Sequence, residues 1–127
     1  MSKVHFLGLI LAIFLIGCAD IIPLNTSYYS SDFLKQIESV NLIYKDGDKA
    51  SALKKLRSIP DENLNKDEQA KKYNLIGVML YRNGDLDLAL ENFYRARQLV
   101  NKDPFLTNQI RLNLASLFFK KLQYEKS

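Results

Sequence analysis

The sequence predicts an all-α fold, a short stack of antiparallel helical hairpins with about five helices, set behind an N-terminal segment that lies outside the fold. Three observations predict it. From Asp32 onward apolar residues recur at helical spacing, with no alternating run long enough for a strand. The turn pairs Gly47-Asp48 and Gly84-Asp85 lie 37 residues apart, and Leu122-Gln123 follows 38 further on, a period typical of stacked helical pairs. The chain opens on a short apolar run closed by its single cysteine, which reads as a processing signal rather than as core.

That opening segment sets the boundaries. Lys3 supplies a positive charge, Phe6 to Ile16 is apolar apart from Gly8, and Leu15-Ile16-Gly17-Cys18 ends the run. Such a run is too short for a membrane-spanning helix, which takes about 20 residues. The tetrapeptide resembles the bacterial lipobox, which implies acylation of the Cys18 thiol, cleavage of the signal peptide 1–17, and a lipid-anchored chain beginning at Cys18. Removing 17 residues from 127 leaves 110, one small domain. With Cys18 carrying lipid, no disulfide forms within it and apolar packing must supply its stability. Seventeen basic and 14 acidic side chains remain, interspersed, a balance of +3 that is too mild to argue for nucleic acid.

Residues 18–31 are irregular and read as a tether, with Tyr28-Tyr29 alternatively packing back as a strap. The helical domain then spans 32–127. Helix one runs from Asp32, a candidate N-cap, through Phe33, Ile37, Val40 and Tyr44 to Gly47. Helix two carries Ala52, Leu53, Leu56 and Ile59, and Pro60 limits it. After a loop, Asn65 and Glu68 form a capping-box pattern that opens helix three, which continues through Tyr73, Ile76 and Leu80 to Gly84. Helix four carries Leu86, Ala89, Phe93, Ala96 and Leu99. Asp103-Pro104 starts helix five, expected to end near Leu122.

The middle unit, 70–103, is similar to the tetratricopeptide repeat (TPR). It matches at Ile76-Gly77, at Gly84-Asp85, and at Ala89, Phe93 and Ala96. Small residues at Gly77 and Ala89 suit close helix approach, and Phe93 is expected to fill the gap to the neighbouring unit. Tyr73 and Leu80 depart from the family's preferred residues. The unit at 33–59 is degenerate, and the one at 108–127 is partial.

Catalysis has few candidates. His5 falls within the signal peptide and Cys18 carries lipid, so neither an imidazole nor a thiol remains for nucleophilic or metal chemistry. The acid pairs Asp61/Glu62, Asp67/Glu68 and Asp85/Asp87 sit at helix starts or in loops and read as caps. No cofactor, metal or catalytic residue is expected.

Protein binding is the alternative. The resemblance to TPRs implies a groove lined by the first helix of each unit. Three and two places before the turn position stand Tyr44-Lys45, Tyr81-Arg82 and Phe119-Lys120, an aromatic-and-basic ladder joined by Asn74 about two turns earlier on the same face. Such a face suits an extended peptide with apolar side chains and carboxylates, although the aromatics would serve equally as packing between hairpins. A second surface is expected on helix five, at Leu117, Phe118, Leu122 and Tyr124, acting either as a cap or as a docking face.

A lipid anchor followed by such repeats resembles the BamD-like family of outer-membrane TPR lipoproteins, in shortened form. The resemblance implies an outer-membrane location facing the periplasm, and as partners a β-barrel assembly subunit or unfolded outer-membrane proteins. Ala19 after Cys18 is compatible with that location. A secretion pilotin-like lipoprotein, a surface adhesin and an activator of a cell-wall synthase remain open alternatives.

Overall fold

In the computed structural model, which describes residues 28–126, the regular structure of those residues is all helical. Five helices follow in order: α1 (Ser31–Lys45), α2 (Lys49–Arg57), α3 (Lys66–Asn83), α4 (Leu86–Leu99) and α5 (Pro104–Lys126), with a short 3-10 turn at Asp61–Asn63 between α2 and α3. No described helix is long and apolar enough to cross a membrane. Cys18, the signal peptide and the first part of the tether lie outside the described residues.

Four of the five helices begin where a side chain accepts from their unpaired amides; α4 is the exception, because Asp85, read from the sequence as a cap, makes no capping bond and accepts from the Asn83 side chain instead. Ser30, rather than Asp32, caps α1 by accepting from the Phe33 amide, so the cap lies two residues earlier than the sequence pattern suggests. Asp48 caps α2 through the Ser51 amide. Asn65 and Glu68 form the full capping box on α3. Asp103 accepts from the Phe105 and Leu106 amides at the start of α5. The stops at Gly47 and Gly84 take φ of 95° and 89°, left-handed conformations that suit glycine. Leu122 has no such role, because α5 passes straight through it to Lys126.

α1 packs on α2 and α3 on α4, each pair joined by one of the glycine turns. The pairs then follow one another, with α2 against α3 and α5 against α4 and α3. The core runs continuously through them, from Phe33, Val40, Ala52 and Leu56 by way of Ile76, Leu80, Phe93 and Ala96 to Ile110 and Leu117. Contacts between successive units repeat the sequence period: Ser30 meets Glu68, Arg82 meets Tyr44 and Asn113 meets Asn74, at separations of 38, 38 and 39 residues.

Gly77 explains the tightness of the α3/α4 pair. A Cβ built on it would lie 2.6 Å from ring atoms of Phe93, which is itself buried. Phe93 therefore packs within its own hairpin, where the spacing suggested a gap between units. Gly77→Val is expected to cost about 2 kcal/mol through overpacking, lowering the thermal midpoint by roughly 10 °C. Shortening the ring with Phe93→Leu should leave less for the valine to displace, so the two losses should combine less than additively in a double-mutant cycle.

Candidate protein-binding face

The last turns of α1 and α3 and the middle of α5 bring the expected ladder together. The Arg82 guanidinium lies 5.8 Å from the centre of the Tyr44 ring, with a nitrogen 3.5 Å from its hydroxyl. One unit on, the Lys120 ammonium stands 4.5 Å from the centre of Tyr81. Each ring thus receives the cation of the following unit, so the aromatics and cations belong to the joints between hairpins and to their surface at once. Phe119, the third aromatic, is exposed, and no described helix packs beyond α5 to supply a cation to it.

Lys49, which the repeat spacing did not single out, adds a third charge. Its ammonium stands 5.7 Å from the Tyr44 ring, on the side supplied by α2. Together Tyr44, Lys49 and Arg82 edge a cavity of about 210 Å³ whose apolar lining includes Leu53, Met79 and Leu80. The Lys-Ala pair directly after the turn aspartate was the available signal. Among the described residues, none of Lys45, Lys49, Arg82 and Lys120 has a carboxylate within ion-pair distance. Lys49, Arg82 and Lys120 lie against rings, whereas Lys45 is exposed and meets none among the described residues.

Two expected site residues are placed elsewhere. Asn74 is buried and accepts from the Asn113 amide at 2.9 Å, joining α3 to α5 rather than facing a ligand. Leu117 is fully buried, because helical geometry turns it, with Ile110 and Leu114, toward the domain and away from the docking face. Phe118, Leu122 and Tyr124 are exposed. Lys121 pairs with Asp87 at 2.7 Å, so that aspartate links α4 to α5 besides standing in a helix's first turn.

Opposite the glycine turns, acidic side chains organise the other end. Asp67 accepts from the amides of Asn101, Lys102 and Asp103 at 2.9–3.3 Å, holding the α4–α5 loop. Glu68 accepts from the Ser30 amide at 2.6 Å, and Tyr29 donates its hydroxyl to Asp103 while stacking on Phe33 at 5.9 Å. Residues 28–30 are therefore a strap on the domain, and the folded part extends N-terminal of Asp32. Burial, with the bond to Asp103 next, pushes the Tyr29 hydroxyl well above the usual tyrosine range.

Asp61 is no cap. It pairs with Lys72, accepts from the Tyr73 hydroxyl and lies 3.7 Å from Arg95, which covers the Tyr73 ring at 4.1 Å. Burial opposes its charge, but Lys72, Tyr73 and Arg95 together hold the carboxyl below the usual carboxylate range. Among the described residues no His, Cys, Asp and Glu cluster is arranged to hold a metal ion.

Comparison of the chain with protein-family models, with curated proteins and with solved structures found no match.

Burial first, and then the bond to Asp61, push the Tyr73 hydroxyl up to about 12. A proton held more tightly in the folded state stabilises the fold fully below the unfolded value near 10 and is lost as pH rises toward 12. Stability is expected to fall between those limits, and Tyr73→Phe should make that fall shallower, leaving the part due to Tyr29, in denaturant titrations made at stepped pH.

Proposed function

We propose that this chain is a membrane-tethered protein-binding module of TPR type without catalytic activity of its own, anchored through lipid on Cys18. The observation that carries the binding reading is the run of cations with rings beneath them and no acidic partners among the described residues: Lys49 and Arg82 at Tyr44, and Lys120 at Tyr81. A cation over a ring keeps most of its donors available, and a carboxylate can join it without displacing a partner. The cavity at Tyr44 offers apolar walls beside that charge. A segment that alternates apolar and acidic side chains meets both demands.

The hairpin pairing, the two glycine stops and the contacts repeated at one sequence period support the repeat reading. Signal peptide, lipid attachment and outer-membrane location rest on the sequence of residues 1–18. On the BamD-like resemblance, the partners are a β-barrel assembly subunit or unfolded outer-membrane proteins. The absence of catalysis is proposed because His5 falls in the segment expected to be cleaved, Cys18 is expected to carry lipid, and Asp61, Asp67, Glu68 and Asp87 are engaged in caps, clamps and ion pairs.

The double variant Tyr81→Ala/Arg82→Ala is expected to weaken capture of the partner at least tenfold by crosslinking in intact membranes, with an unchanged helical circular dichroism spectrum. Capture by the wild-type chain should fall as salt is raised, since exposed charges are screened. Undiminished capture by a folded variant removes the groove reading. Separately, Cys18→Ser is expected to abolish acylation and release the chain from membranes; retention of labelled fatty acid by that variant would refute the anchor.

A further inference from the structure

Helix α5 is apolar on two opposite sides. Leu106, Ile110, Leu114 and Leu117 are buried against the domain. The other side carries Phe105, Leu112 and Phe119 at seven-residue intervals, with Ala115 and Leu122 three residues after the second and third. These large side chains stand open: Phe105 is 57% exposed, Leu112 67%, Phe119 64% and Leu122 55%, with Phe118 beside them at 43%. A seven-residue apolar recurrence with a second position three residues on is the pattern of a helix that packs along another helix. The stripe runs from 105 to 122, about 26 Å of helix.

We propose that this stripe is the two-fold interface of a homodimer, α5 lying antiparallel to its counterpart. Side-chain size selects that arrangement. With the axis between Leu112 and Ala115, Leu112 faces Ala115 of the other copy, Phe119 faces Asn108 and Phe105 faces Leu122. Large side chains then meet smaller ones, which fills the seam evenly. A parallel pair instead sets ring against ring and Ala115 against Ala115, crowding beside a gap.

Charge selects a second copy over other occupants. The flanking positions are Gln109, Ser116 and Gln123 on one side and Arg111, Phe118 and Glu125 on the other, so the antiparallel pairing opposes no like charges and brings Arg111 to Phe118 of the other copy. An anionic lipid surface or an acidic helix calls for a basic rim, and Lys120 and Lys121 are turned away onto Tyr81 and Asp87. Area agrees too. At about 200 Å² for each full side chain, the open fractions amount to on the order of 600 Å² per copy. Fully buried in two copies, they approach the roughly 1,200 Å² at which stable interfaces begin.

The test uses the full chain in membranes of the expressing cells. Phe105→Cys/Leu122→Cys, oxidised mildly, is expected to run mainly at twice the chain's mass on a non-reducing gel. Either substitution alone should stay at the unsubstituted chain's pattern, which also accounts for Cys18, because like positions lie about 26 Å apart in the antiparallel pair. Leu112→Asp, an exposed change that leaves the core intact, should cut the doubled band at least tenfold in the double variant, whereas Leu88→Asp, exposed on α4, should not. The proposal is overturned by absence of the doubled band from protease-resistant protein, by crosslinking of the single variants, by adducts of another mass, or by a band insensitive to Leu112→Asp.

Discussion

Two carboxylates in the first turn of α3 meet backbone amides from two other parts of the chain. Asp67 takes three amides from the loop that leads into α5, and Glu68 takes one from the strap and one from its own capping box. Both side chains are buried, and removing Asp67 leaves the buried Asp103 amide without its partner, a loss of about 1–3 kcal/mol for such a group. The neighbouring Asp103 continues the arrangement by capping α5 and accepting from Tyr29. The first unit, the middle hairpin and α5 are thereby set in one register before any apolar contact is counted. Apolar packing is non-directional; these bonds supply the direction.

The opposite end is organised by weaker means. Its turns close on Gly47 and Gly84, and the units meet there through Arg82 on Tyr44 and Lys120 on Tyr81. Exposed cation–ring contacts contribute about 0.5–1 kcal/mol each. One end of the domain is thus held by directional bonds to buried carboxylates and the other by exposed cation–ring contacts.

Much of this was legible in the sequence for a definite physical reason. Caps and turns depend on neighbours three or four residues away, so Asn65/Glu68, Asp103-Pro104 and the two glycine stops were readable directly. The ladder was also readable, since one period carries each ring to the next unit's cation. Long-range partners were not: nothing near Asp67 indicates that it receives amides 34 to 36 residues away, and nothing near Asn74 announces Asn113. Leu117 shows a different limit. Both sides of α5 are apolar, so periodicity alone does not say which side the domain buries.

The strap has a mechanical consequence. Residues 28–30 cross the domain at the end where α3 and α5 begin, so tension arriving from earlier in the chain meets the Ser30–Glu68 and Tyr29–Asp103 bonds at the root of α1. Those two bonds share the load in parallel and tie it to α3 and α5, so α1 does not bear it alone. The ladder, about 20 Å away along α1, is sheltered from that pull; under the proposed function, a partner held there would be drawn against the anchor while the surface that grips it keeps its shape.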